Sequence, residues 1–142
     1  RLSRKTRIDM SLSEENRRTI VNREIEKALV NYEQAEVMRE HGYWDAAANR
    51  LYYAAFHAIS SLLIHDKHEV RTHHGAGMLF RQTYIKTGIL HESHSDTFTL
   101  LQTMREKSDY NCSFDATRGL IEPLFSPSKE MIDTIAAMVR QI

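Results

Sequence analysis

The stretch that decides the fold is WDAAANRLYYAAFHAISSLLI, which runs from Trp44 to Ile64. Wound as an α-helix, it carries apolar side chains around almost its whole circumference: Leu51, Tyr52, Ala54, Ala55, Phe56, Ala58, Ile59, Leu62 and Leu63. A helix that is apolar on nearly every side is enclosed by other helices. The stretch therefore predicts the central helix of a helical bundle.

A polar stripe interrupts this helix. Its members recur at spacings of three and four residues and so share one face: Arg50, Tyr53, His57 and Ser61. Polar groups on an enclosed helix need solvent in a cleft, a second subunit or a ligand to face. Arg50 and His57 together would suit a site that clamps a phosphate and moves a proton. The alternative is structural, with Arg50 turned to solvent or to a carboxylate of the preceding helix and His57 half-buried.

A first helix is predicted before the central one. Ser11 or Ser13 is expected to cap it, and it should end near Glu40, before the stop signal His41-Gly42. A connection this short makes the two helices antiparallel neighbours.

Three further helices are predicted after the central one. The third spans about residues 72–85, and Gly88 follows it as a stop signal. The fourth spans 93–110 with Ser93 as its cap. Residues 111–127 contain both prolines and are expected to be irregular, apart from one turn near 117–122. Ser126 is expected to cap the last helix, with Pro127 at its first position. No strand-like alternation appears, so the sequence predicts an all-α, up-and-down antiparallel bundle of about five helices.

The composition favours one cytoplasmic domain over residues 11–142. The length of 142 residues suits a single core, and the lone Cys112 has no partner for an intrachain disulfide. The longest uncharged run, residues 51–64, is shorter than the roughly 20 residues that span a bilayer. We therefore expect no membrane segment.

The formal charge of zero is unevenly distributed. Residues 1–9 hold four basic side chains and one aspartate, so they carry +3 and the rest of the chain carries −3. We expect residues 1–10 to be a basic arm, either native or a remnant of cloning. A mildly acidic body argues against strong nonspecific binding to nucleic acid, although a local basic patch remains compatible with it.

Cofactor and metal chemistry find little support in the sequence. The eight histidines include two pairs spaced by three residues and one adjacent pair, but no thiolate or carboxylate accompanies them in a zinc-like pattern. No nucleophile elbow and no glycine-rich phosphate loop is present. We expect neither a bound metal nor a cofactor.

Four motifs, in this order and spacing, resemble the HEPN domain family of small prokaryotic helical proteins. They are RLYYAAFHA (50–58), THHG (72–75), KTG (86–88) and REKSDY (105–110), and the likeness covers about residues 14–142. The resemblance implies a helical bundle, often homodimeric, that binds a nucleotide or RNA. It also implies a nucleotidyltransferase partner, as in toxin–antitoxin or defence systems.

The resemblance also implies a ribonuclease alternative. One branch of the family cuts RNA without metal, using arginine, four to six residues, then histidine, usually with asparagine after the arginine. The histidine assists attack by the ribose 2′-hydroxyl and the arginine stabilises the phosphorane charge. Here Tyr110 stands in the histidine position after Arg105, and Glu106 replaces the asparagine. A tyrosine with a reference pKa near 10 is a poor base at neutral pH.

The leading hypothesis is a polar groove in which two groups of side chains converge, one from the central helix (Arg50, Tyr53 and His57) and one from the fourth helix (Arg105, Asp109 and Tyr110). Its ligand-binding candidates are Arg50, Tyr53, His57, Arg105 and Tyr110, and its catalytic candidates, should it be an enzyme, are Arg105, Asp109, Tyr110 and His57. A third hypothesis treats Arg105 and Asp109 as an ordinary i,i+4 ion pair in a protein-binding module without a ligand.

Overall fold

The computed structural model describes residues 13–140 of the chain, and within that range there is no β-strand. The α-helices are α1 (Glu14–Glu40), α2 (Trp44–His65), α3 (His73–Phe80), α4 (Glu92–Tyr110), α5 (Arg118–Ile121) and α6 (Phe125–Val139). A π-helical turn, Arg81–Ile85, extends α3, and a 3-10 turn, Glu122–Leu124, joins α5 to α6. The predicted all-α bundle is confirmed. The proposed basic arm, residues 1–10, and the cap candidate Ser11 lie outside the described residues.

Helix α2 is the centre of the bundle. It contacts each of the other five α-helices of the described chain, and α1 packs along it most extensively. Its apolar side chains are buried almost completely, with Leu51, Ile59 and Leu63 all at 0% exposure. Burial of side chains of this size stabilises the fold by roughly 1.5–3 kcal/mol each. The enclosure predicted from the apolar circumference of α2 is therefore what the structure shows.

The start of α1 and the first chain reversal follow sequence signals. Ser13 Oγ accepts a hydrogen bond from the backbone N–H of Asn16 at 3.0 Å, which caps α1. Gly42 has φ +72°, a left-handed conformation that glycine adopts without strain, and it lets α2 turn back against α1.

Two predicted caps are wrong. The cap of α4 is His91 rather than Ser93, because the His91 ring nitrogen accepts the backbone N–H of Ser93 at 3.1 Å and Ser93 is already helical. Ser126 does not cap the last helix, since the 3-10 turn passes directly into α6 at Phe125. Pro127 is the third helical residue, where its missing N–H would have had no partner inside the helix.

The loop between α2 and α3 is fixed at both ends. Buried Tyr84 donates its hydroxyl to Asp66 Oδ2 at 2.6 Å, just after α2. Burial and this carboxylate raise the pKa of Tyr84, so it remains protonated and acts as a donor. At the other end, Thr72 Oγ1 accepts the N–H of Gly75 at 2.9 Å and caps α3. These contacts set the position of the first residue of α3, His73.

The central position of α2 leads to a prediction about the free energy of unfolding of core variants. We expect Leu62→Ala, at a side chain 1% exposed, to lower the free energy of unfolding by about 2–5 kcal/mol, because it opens a cavity among the surrounding helices. Leu100→Ala is the matched control, since Leu100 is helical but 47% exposed, and it should cost less than about 1 kcal/mol. Urea unfolding measures both. Equal losses would show that α2 is not enclosed.

Candidate functional site

Arg105, near the end of α4, lies among three tyrosine rings. Its guanidinium carbon is 5.1 Å from the ring centre of Tyr52, 5.5 Å from that of Tyr53 and 5.6 Å from that of Tyr110. Cations are attracted to aromatic faces at these distances. The side chain is only 18% exposed, so the charge lies in a recess and not on an open surface.

The hydrogen bonds of Arg105 leave part of its guanidinium unused. Nη2 donates to the Tyr53 hydroxyl at 3.2 Å and to the Tyr110 hydroxyl at 3.5 Å. Nε lies 3.3 Å from Asp109 Oδ2 without the alignment of a hydrogen bond, and it is buried. Nη1 has no hydrogen bond to any residue of the described chain. The i,i+4 ion pair is therefore present but does not saturate Arg105.

The charge of Arg105 is maintained despite burial. Desolvation acts to lower the pKa of Arg105, but the neighbouring tyrosine oxygens and Asp109 outweigh it, so the net shift is upward. A guanidinium that stays charged in a partly dehydrated recess interacts more strongly with an anion than one in bulk water.

Arg50 approaches the same tyrosine from α2. Its guanidinium carbon lies 5.3 Å from the ring centre of Tyr53, and both Nε and Nη2 donate to Asn49 Oδ1. Asn49 in turn donates from Nδ2 to Asp109 Oδ2 at 3.1 Å. Arg50 and Arg105 are thus connected through Asn49 and Asp109, and both lie against Tyr53. We call this group, with Tyr52 and Tyr110, the tyrosine–arginine cluster.

His73 belongs beside this cluster, although sequence reasoning did not select it. Its Nδ1 lies 2.9 Å from the Tyr52 hydroxyl, and its ring stacks on Phe56 with centres 3.9 Å apart. Burial, then the charges of Arg105 and His57, lower the pKa of His73, so the ring is neutral at pH 7. The only sequence signal for His73 was its place in the THHG motif. Residue spacing could not reveal its approach to Tyr52 and Arg105, because the three residues lie in three different helices.

Two members of the predicted polar stripe lie elsewhere. His57 turns toward α1, where its Nδ1 lies 2.6 Å from Glu24 Oε2, and it makes no contact with Arg105. Ser61 is fully buried and donates to the backbone oxygen of Ala58 at 2.6 Å. Ser61 therefore does not share the exposure expected of the stripe, which was predicted to face a cleft, a second subunit or a ligand, because its hydroxyl is satisfied within its own helix.

Clusters of metal-ligating side chains and membrane-spanning helices are both absent from residues 13–140. Nowhere in that range do three or more histidine, cysteine, aspartate or glutamate side chains converge as metal ligands. Among the helices of the same range, none combines the length and apolar character needed to cross a bilayer.

Of the predicted site residues, the structure brings together Arg50, Tyr53, Arg105, Asp109 and Tyr110. A family model described as HEPN domain matches residues 21–139, which is most of the chain and contains all of them. The chain belongs to the HEPN domain family.

Two relatives of this HEPN protein come from the archaeon Methanocaldococcus jannaschii. "Putative toxin MJ0142" is 26% identical over 100 residues, covering 70% of this chain and 68% of the relative. "Putative toxin MJ0605" is 25% identical over 118 residues, covering 83% of this chain and 87% of the relative.

The proximity of Arg105 and His73 is testable by titration. We expect Arg105→Met to raise the pKa of His73, because it removes a nearby positive charge that disfavours the imidazolium. The measurement is the pH dependence of the His73 ring resonances by NMR. Lys107→Ala is the control, since the Lys107 ammonium lies over Phe114 and should not affect His73. An unchanged His73 midpoint in folded Arg105→Met would contradict the described geometry.

Proposed function

We propose that this HEPN protein is toxin-like and binds a phosphate-bearing ligand, a nucleotide or RNA, at the tyrosine–arginine cluster. The observation that carries the proposal is the Arg105 guanidinium, which is charged, mostly buried and has an unused Nη1. A planar guanidinium recognises phosphate oxygens through paired hydrogen bonds. Its partial dehydration strengthens that attraction.

The tyrosines provide the second part of the recognition. Tyr110 is 75% exposed, so its ring is available to stack on a base while Arg105 holds a phosphate. Tyr53 fixes Arg105 by accepting from Nη2 and separates it from Arg50. This division of roles favours a ligand that has both a phosphate and an aromatic base.

The biological setting of the proposal is a cytoplasmic homodimer that acts with a nucleotidyltransferase partner. Its support is the membership in the HEPN domain family and the two archaeal relatives named as toxins. A partner that transfers nucleotides and a domain that holds nucleotide or RNA would act on the same kind of molecule. Co-purification of the chain with a minimal nucleotidyltransferase tests this pairing.

The binding proposal is tested by thermal unfolding with a panel of ribonucleotides. A bound nucleotide at 100 times its dissociation constant should add about 2.7 kcal/mol to the free energy of unfolding. Arg105→Met should abolish the added stability, because it removes the phosphate donors but keeps an aliphatic stem against the tyrosines. Lys107→Ala should retain it. If no nucleotide and no RNA stabilises the wild type, the protein-binding module without a ligand is the better description.

A second candidate function, metal-independent ribonuclease, is favoured by His73. Tyr110 is a poor base and His57 is paired with Glu24, whereas neutral His73 lies beside Arg105 and has Nε2 unbonded in the described chain. In this reaction His73 takes the proton of a ribose 2′-hydroxyl, O2′ bonds to phosphorus and the bond to O5′ breaks. The leaving oxygen takes a proton from water, and a 2′,3′-cyclic phosphate remains.

The ribonuclease candidate is tested by the rate at which single-stranded RNA is cleaved in the presence of a metal chelator. His73→Ala should lower this rate by about 100-fold or more. The control variant His74→Ala, at the neighbouring residue, should cleave RNA at the wild-type rate. The wild-type rate should rise with pH through the His73 pKa, below the ordinary value of about 6.5, because only the deprotonated ring is a base. Absence of cleavage by folded wild type eliminates this candidate and leaves the binding proposal intact.

A further inference from the structure

Arg50 also borders a second feature, a shallow groove between α1 and α2 of about 320 Å³. Its charged lining consists of Arg23, Lys27 and Arg50 against the single carboxylate of Glu26. Beyond residues 1–9 the chain carries a net charge of −3, so this excess of positive charge is local. Such a concentration of cations attracts anions to this groove.

Arg50 is held in the groove by uncharged partners. Its Nη1 donates to Asn31 Oδ1 at 2.8 Å and, more weakly, to Gln34 Oε1 at 3.4 Å. Asn31 is only 9% exposed, and its Nδ2 is fixed by the backbone oxygen of Lys27 at 2.8 Å. No carboxylate of the described chain forms an ion pair with Arg50. The guanidinium is therefore positioned by side-chain amides, and no carboxylate of the described chain neutralises its charge.

The other two cations are also weakly paired. Arg23 forms no ion pair with any residue of the described chain. The Lys27 ammonium lies 3.9 Å from Glu24 Oε1, a long contact, and Glu24 is engaged by His57 at 2.6 Å through its other oxygen. The Lys27 side chain is half-exposed, and an ion pair at this distance contributes little, so Lys27 can exchange it for a phosphate.

We propose that this groove is a second phosphate site, and that the ligand of the protein is single-stranded nucleic acid and not a mononucleotide. The inference rests on the proposed function of the tyrosine–arginine cluster. Arg50 belongs to both places, since it lines the groove and lies 5.3 Å from the Tyr53 ring centre. One phosphate at Arg105 and another in the groove would follow successive positions of a strand, with bases directed toward the tyrosines.

The test is fluorescence anisotropy with labelled oligonucleotides of one, two, four and eight nucleotides, as RNA and as DNA. Affinity should rise with length beyond one nucleotide. The double variant Arg23→Gln/Lys27→Gln should weaken the longer strands roughly tenfold and lower the salt slope by about 1.4, from about 0.7 for each lost phosphate contact. Mononucleotide binding should be unchanged, because Arg105 is intact.

The matched control is Lys86→Gln/Lys129→Gln, which removes the same two charges outside the groove and should leave affinity and slope unchanged. Mononucleotides that bind as tightly as octamers, or a groove variant that behaves like the control, would overturn the second site while the proposed function stands. If no oligonucleotide of any length and no mononucleotide binds, the proposed function itself fails. A preference for RNA over DNA would identify contacts to the 2′-hydroxyl, and equal binding would identify the phosphate backbone as the determinant.

Discussion

The structure depends on the enclosure of α2 by the other five α-helices of the described chain. Because nearly all of its circumference is covered, few of its polar side chains reach solvent, and one place where they do is a gap beside α1 and α4. Arg50 and Tyr53 lie at that gap, and Arg105 reaches it from α4. The packing of the core therefore determines where a charged site can form.

At that gap, two opposing effects act on Arg105. Burial disfavours a charged guanidinium, and a lone buried cation would be strongly destabilising. Three tyrosine rings and Asp109 compensate, yet Asp109 shares its oxygen with Asn49 and does not form an aligned hydrogen bond with Nε. An ion pair that served stability alone would be expected to use the donors of Arg105 more completely. The incomplete pairing is the feature on which the binding proposal rests.

Most of the fold follows from local signals. The apolar circumference of α2, the Ser13 cap and the Gly42 reversal each predict their element because the physical cause lies within a few residues. The errors at the starts of α4 and α6 have local causes too, but uncommon ones. His91 caps through a ring nitrogen, and a 3-10 turn passes into α6 without a break.

The site was less predictable than the fold. The spacing along α2 placed Arg50 and Tyr53 correctly on one face, and the REKSDY motif identified Arg105 and Tyr110. Spacing cannot show which neighbouring helix a side chain meets, so it grouped Arg50 with His57, which instead binds Glu24 on α1. His73 escaped selection because its approach to Tyr52 depends on tertiary contacts.

Those tertiary contacts connect the loop to the chemistry of the site. His73 is the first residue of α3, and its position is fixed by the Thr72 cap on one side and by its stack on Phe56 on the other. Tyr84, which closes the same loop through Asp66, lies far from Arg105 in sequence yet restrains the segment that presents His73. The lowered pKa of His73 follows from this placement, since burial and the Arg105 charge act only at short range. The contacts at both ends of the loop between α2 and α3 therefore place an imidazole beside the guanidinium.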